Sequence, residues 1–150
     1  MLVVRMKRKS AARATEKSDG LILFAHGSRN GAWRKPFDRL LKDVVKRGKC
    51  QAVLAFGEFM SPGLVQAAQV LAAKGVKQAV IVPLFLGGGL HVRGDLPKLA
   101  TEARAASRIK LRVVRAIGDD AGVLHAIADY SIAAVQPRIR KTTSARRKLF

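Results

Sequence analysis

Apolar residues in this chain gather in four short runs. The stretches between them repeat apolar positions every three or four residues. The runs are 21–25 (LILFA), about 50–56 (CQAVLAF), 78–86 (QAVIVPLFL) and 109–115 (IKLRVVR). A short, nearly continuous apolar run is what a parallel strand covered on both faces requires. After the first run, Trp33, Phe37, Leu40, Leu41, Val44 and Val45 fall on one face of a helix, with Pro36 in its first turn and Gly48 at its end. After the second, Ser61 and Pro62 read as an N-cap and first-turn pair. Leu64, Ala67, Ala68, Leu71 and Ala72 then line one side, and Gly75 closes the helix. Asp95 reads as the N-cap of a third helix running to about Ser107, with Pro97 in its first turn. A last helix runs from Asp119 or Asp120 to about Val135.

Strands alternating with helices of this length predict an α/β fold: a small doubly wound, mainly parallel four-stranded sheet with helices on both faces. Right-handed crossovers put every strand-to-helix loop on one edge of the sheet, where open α/β sheets bind ligands. Four strands make a small sheet and leave apolar surface that a second copy can cover.

Charge divides the chain. It has 150 residues, 29 Lys/Arg and 10 Asp/Glu, a formal net charge of +19. Residues 1–19 carry six basic and two acidic side chains, and residues 137–150 carry six basic and no acidic ones. The segment 20–136 is thus a single domain of milder charge between two basic arms, the first of which reads as a disordered extension. A basic surface favours polyanionic partners. The arms lack the aromatic residues that stack on bases, which argues against nucleic-acid binding as the main role. No apolar run reaches the roughly 20 residues of a membrane span. The N-terminal charges are followed by no secretory apolar core. The single cysteine, Cys50, excludes an internal disulfide, fits a reducing compartment such as the cytoplasm, and reads as a small buried hydrophobe.

The candidate chemistry sits at the strand ends. His26 follows the first run, Glu58 the second, and His91 the third, after the loop Gly87-Gly88-Gly89. Imidazole binds metals and moves protons near neutral pH. Two imidazoles and a carboxylate are a plausible ligand set for a borderline divalent metal, held from three separate loops. Taken singly, each has a blander reading: a hydrogen-bonded histidine, a solvated carboxylate, a glycine loop that cradles phosphate before a helix. That glycine loop matches neither the Walker nor the dinucleotide pattern. Ser28 beside His26 lacks the strained elbow of an acyl-transfer nucleophile. His125, within a helix, reads as a surface residue.

Three stretches together resemble the small sirohydrochlorin chelatases, the CbiX-type class II tetrapyrrole chelatases: LILFAHGSRN (21–30), VLAFGEFMSPGL (53–64) and VIVPLFLGGGLHVRGDLPKL (80–99). The resemblance covers about residues 20–135. It implies a chelatase-like fold of flavodoxin-like topology and an ATP-independent lyase. Such an enzyme inserts Co²⁺ or Fe²⁺, with Ni²⁺ also compatible, into sirohydrochlorin on the way to cobalamin or sirohaem. The metal is the substrate, and no cofactor is tightly bound. Carried over by motif, His26 and His91 match the family's metal-site histidines and Glu58 its acidic residue. Arg29, Gly88, Gly89 and Arg93 are placed to meet the polycarboxylate ring. The short members are homodimers. Gly57 and Ser61 depart from a larger apolar residue and an acid common there, and an Arg/Lys-rich tail replaces the His-rich tail of some members. The rival readings are a flavodoxin-like domain binding a phosphate ligand and a basic nucleic-acid-binding protein.

Overall fold

A computed structural model describes residues 20–87 and 90–136, without the side chains of 90–94. The basic arms, 1–19 and 137–150, lie outside the described residues. Four strands, β1 (Gly20–Ala25), β2 (Gln51–Phe56), β3 (Gln78–Pro83) and β4 (Lys110–Val113), form one parallel sheet in the order β2-β1-β3-β4. Four helices accompany them: α1 (Lys35–Gly48), α2 (Leu64–Ala73), α3 (Leu90–Ser107) and α4 (Ala121–Val135). The strand order reverses beside β1, so the carboxyl ends of β1 and β3 flank the crevice where doubly wound sheets take their ligands.

The alternation of side chains divides the core in two. Ile22, Phe24, Ala55, Ala79, Ile81 and Leu111 face α2 and α3. Leu23, Ala25, Leu54 and Phe56 face the other way, against Trp33, Phe37, Leu41 and Val44. On the first face, fully buried Ala67 and Ala68 of α2 and Ala100 and Ala103 of α3 let the two helices approach closely. Leu71 is also fully buried there. Truncating Leu71 to alanine leaves a cavity in this close-packed layer, with an expected loss of about 3 kcal/mol. A urea melt that shifts by less than a third of that amount would mean that the layer collapses to fill the space.

Several expected boundaries are corrected. Trp33 lies in a separate 3₁₀ turn, Gly31–Arg34, capped by Asn30, whose side chain accepts from the Ala32 amide at 3.0 Å. Leu40 and Val45 are exposed, so the buried stripe of α1 is narrower than its apolar pattern. Helix α1 does end at Gly48, as expected, and the residue after it, Lys49, takes the left-handed conformation (φ 49°). Helix α2 starts two residues late: Gly63 is its N-cap and Pro62 stays in the loop. The Gln66 side chain accepts from the Gly63 amide at 3.0 Å. β3 stops at Pro83, whose nitrogen cannot donate to a neighbouring strand, although Leu84 still donates to the Phe24 carbonyl at 2.8 Å. β4 is shorter than its run. Cys50 is half-buried rather than core.

Asp95 and Pro97 do not begin α3. The helix starts at Leu90 and carries Pro97 inside it. An internal proline costs about 3 kcal/mol, and here that cost is met by burial. Leu96, Ala100, Ala103 and Ser107 recur at four- and three-residue spacing and are all buried on the sheet. The start of α4 is as expected, with the Asp120 side chain accepting from the Val123 amide at 3.0 Å.

Candidate functional site

The loops after β1 and β2 are held together by main chain. The Gly57 amide donates to the Ala25 carbonyl and the Glu58 amide to the His26 carbonyl, both at 2.9 Å, carrying the parallel pairing past the strand ends. Gly27 makes this closure possible. Its φ is +96°, and a Cβ there would stand 1.8 Å from the Glu58 carbonyl oxygen. Only a residue without a side chain fits. On the outer side, the Arg34 guanidinium donates to the Ser61 carbonyl at 2.9 Å, pairs with Asp38 at 3.0 Å and lies over the Phe56 ring. The β2–α2 loop is thereby tied to α1.

His26 and Glu58, brought together in this way, line one cleft of about 380 Å³. Its apolar wall is Phe24, Phe85, Leu96 and Leu99. Both polar residues are exposed to solvent. The His26 ring is stacked on Phe85 from the end of β3, with centroids 4.1 Å apart and a 41° tilt. That contact orients the imidazole across the strand-order reversal.

A third polar residue lines the cleft, Asp95. Its place two residues before Pro97 predicts a helix cap, yet it sits in the second turn of α3 and lines the cleft with His26 and Glu58. The available signal was its spacing, four residues after His91, which is one helical turn. His91 and Arg93 lie in the first turn of α3, and their side chains fall outside the described residues, as do Gly88 and Gly89. Among the described residues, no three His, Cys, Asp or Glu side chains converge closely enough to cage an ion. The cleft is therefore open on its described side. Two carboxylates lining the same cleft as the imidazole favour a cation over a phosphate group, which weighs against the phosphate-cradle alternative.

Arg29 lies beside the cleft, exposed, with its guanidinium 4.6 Å from the centroid of Phe59. Phe59 is itself 56% exposed and holds φ +61°. Ser28 is a turn residue: its hydroxyl oxygen accepts from the Asn30 amide at 3.1 Å. His125 is exposed on α4, as expected. No helix among the described residues is long and apolar enough to cross a membrane.

Comparisons with known proteins converge on one group. The CbiX family model matches residues 20–134. A sirohydrochlorin cobaltochelatase of Sulfurisphaera tokodaii is 32% identical over 107 residues, covering 67% of this chain and 81% of the relative. The chain spans 56%, 62% and 57% of three other curated relatives of that name. Among solved structures, the CbiX protein of Marinobacter aquaeolei VT8, described by its role in cobalamin biosynthesis, superposes with a TM-score of 0.70. It shares 30% identity, over 77% of this chain and 95% of that one. The sirohydrochlorin chelatase SirB of Bacillus subtilis subspecies spizizenii, solved with cobalt, superposes at 0.65 with 23% identity. That match covers 78% of this chain and 51% of SirB, and it bears on the fold alone.

Proposed function

This chain belongs to the CbiX family, and on that premise we propose that it is a sirohydrochlorin chelatase, a lyase that inserts Co²⁺ or Fe²⁺ into the ring in cobalamin or sirohaem synthesis. The observation that carries this reading is the cleft itself. His26 and Glu58 meet there from adjacent strand ends, against an aromatic and aliphatic wall, with Asp95 beside them.

Insertion exchanges two pyrrole protons of the macrocycle for one divalent ion, which must also shed its water. The wall formed by Phe24, Phe85, Leu96 and Leu99 offers the flat ring an apolar surface. A neutral imidazole at His26 either ligates the arriving ion or accepts a pyrrole proton. The Glu58 and Asp95 carboxylates attract the ion and offset its charge as it loses water. His91, one loop away after β3, is the second proposed ligand. Arg29 and Arg93 steer the carboxylate arms of the ring toward the cleft. We read the chain as working in the cytoplasm as a homodimer; its small four-stranded sheet and the exposed apolar side chains of α4 leave surface that a second copy can cover.

The test is the visible spectrum of sirohydrochlorin incubated with protein and Co²⁺, Fe²⁺ or Ni²⁺ in turn. Spectral conversion faster than in the protein-free control is expected for at least one of the first two ions. Rates equal to that control for all three would overturn the proposal. Acidity supplies a further expectation. Proton and metal compete for the same imidazole lone pair, and imidazoles change charge between about pH 5 and 8. Insertion is expected to slow as pH falls through that window, and raising the metal concentration should move the acid limb to lower pH. An acid limb indifferent to metal concentration would assign rate control to another group.

A further inference from the structure

Phe59 stands where a phenylalanine is unfavourable. Among the described phenylalanines, Phe24, Phe56 and Phe85 are buried and Phe37 is half-buried, whereas Phe59 is 56% exposed and packs into neither face of the core. Its neighbour Met60 does pack, on the α1 side. The backbone at Phe59 is unfavourable too. The Met60 amide donates to the Glu58 carbonyl at 2.8 Å, a bond between residues two apart that makes Phe59 the apex of a γ-turn. With φ at +61°, this is the rare, strained form of that turn. Glycine would meet such a φ without penalty, and a polar side chain would suit the exposure. An aromatic ring kept in water on a strained backbone points to a use outside the core.

The ring serves a charge. The Arg29 guanidinium lies over it, 4.6 Å from the centroid. Among the described residues Arg29 pairs with no carboxylate; the described ion pairs belong to Arg34 and Arg47. The main chain around Arg29 is fixed, because the Ser28 hydroxyl oxygen accepts from the Asn30 amide across it at 3.1 Å. What remains to be ordered is a long side chain, and ordering it on binding costs affinity. An aromatic face attracts a guanidinium within about 6 Å and so removes part of that cost in advance. The ring covers one face of the guanidinium. The N–H donors lie in the plane of that group and stay available to a carboxylate.

Both residues adjoin the cleft. Arg29 comes three residues after His26, and Phe59 directly follows Glu58. The Gly57–Ala25 and Glu58–His26 main-chain bonds join the two loops. They give the Arg29–Phe59 pair a set place relative to the imidazole and the carboxylate.

We propose that Phe59 is a positioning residue for ring recognition: its face holds the Arg29 guanidinium beside the cleft, ready to take a carboxylate arm of the tetrapyrrole. This rests on the chelatase reading above and adds to it a device that selects rings by their carboxylates.

The test is the affinity of the full chain for metal-free sirohydrochlorin, read by titrating the absorbance of the ring. The variants are Phe59→Leu, Phe59→Tyr, Arg29→Gln and the double variant Phe59→Leu with Arg29→Gln. Leucine keeps an apolar side chain on the same backbone but has no ring face. Phe59→Leu is expected to weaken binding about three- to tenfold, and Arg29→Gln at least about tenfold. Phe59→Tyr should restore the parent affinity. The double variant should bind no more weakly than Arg29→Gln alone, because the ring acts through the guanidinium. Binding by Phe59→Leu should also lose part of the parent's sensitivity to added salt. In the insertion assay the loss should fall on KM and not on kcat. Parent affinity in Phe59→Leu overturns the assignment. So does a loss that adds in full to that of Arg29→Gln, which would put Phe59 itself against the tetrapyrrole, and so do equal losses in Phe59→Leu and Phe59→Tyr. A parent protein that binds the ring yet inserts no metal overturns the chelatase reading and leaves the role of Phe59 standing. One that does not bind the ring overturns both.

Discussion

Replacing His26 with alanine is expected to lower the rate of metal insertion at least about 100-fold while the protein stays folded. The first half follows from chemistry: losing a positioned proton acceptor typically costs 10²- to 10⁴-fold, and losing a ligand for the arriving ion adds to that. The second half follows from position. His26 is exposed, stands beyond the end of β1 and packs by one ring face on Phe85. Its main-chain carbonyl, which accepts from the Glu58 amide, survives the substitution. Initial rates at saturating sirohydrochlorin, paired with a thermal melt, decide the matter. A folded His26→Ala protein inserting metal within a factor of three of the parent would remove His26 from the chemistry. Glutamine at 26 should not restore the rate, because an amide supplies no base.

Gly27→Val is expected to cost both stability and activity, on the order of 3–4 kcal/mol and at least about 100-fold. Two effects add. A β-branched residue at φ +96° is strained by roughly 1–2 kcal/mol. Its Cβ also falls 1.8 Å from the Glu58 carbonyl oxygen, a main-chain atom that can yield only if the loop moves. Moving it breaks the two hydrogen bonds that join the β1 and β2 loops, each worth about 1 kcal/mol. It also carries Glu58 away from His26. Gly57→Ala is the control: a Cβ there would meet the His26 carbonyl oxygen at 3.4 Å, an ordinary contact, so that variant should keep its fold. A denaturant melt and an insertion assay on both proteins test this. A Gly27→Val protein as stable and active as Gly57→Ala would show that the loops are not coupled through this approach.

The chain itself made all four strands legible: β1 and β3 as nearly continuous apolar runs, Leu21–Ala25 and Ala79–Val82, and β2 and β4 as shorter apolar runs between helical stretches. It also marked His26 and Glu58, since a polar residue ending such a run has to lie at the sheet edge. Their meeting in one cleft was decided by strand order. β1 lies between β2 and β3, and nothing local encodes which strand neighbours which. Asp95 shows the same limit within a single element. Asp95 with Pro97 two residues on reads locally as a helix start, but burial of Leu96, Ala100 and Ala103 against the sheet outweighed the proline and drew the helix back to Leu90, placing Asp95 along the cleft. Helix α4 was legible in its bounds, whereas the exposure of its apolar side chains was not. Periodicity records that a face must be buried and says nothing about which surface buries it; here the described fold supplies no such surface to its own helix.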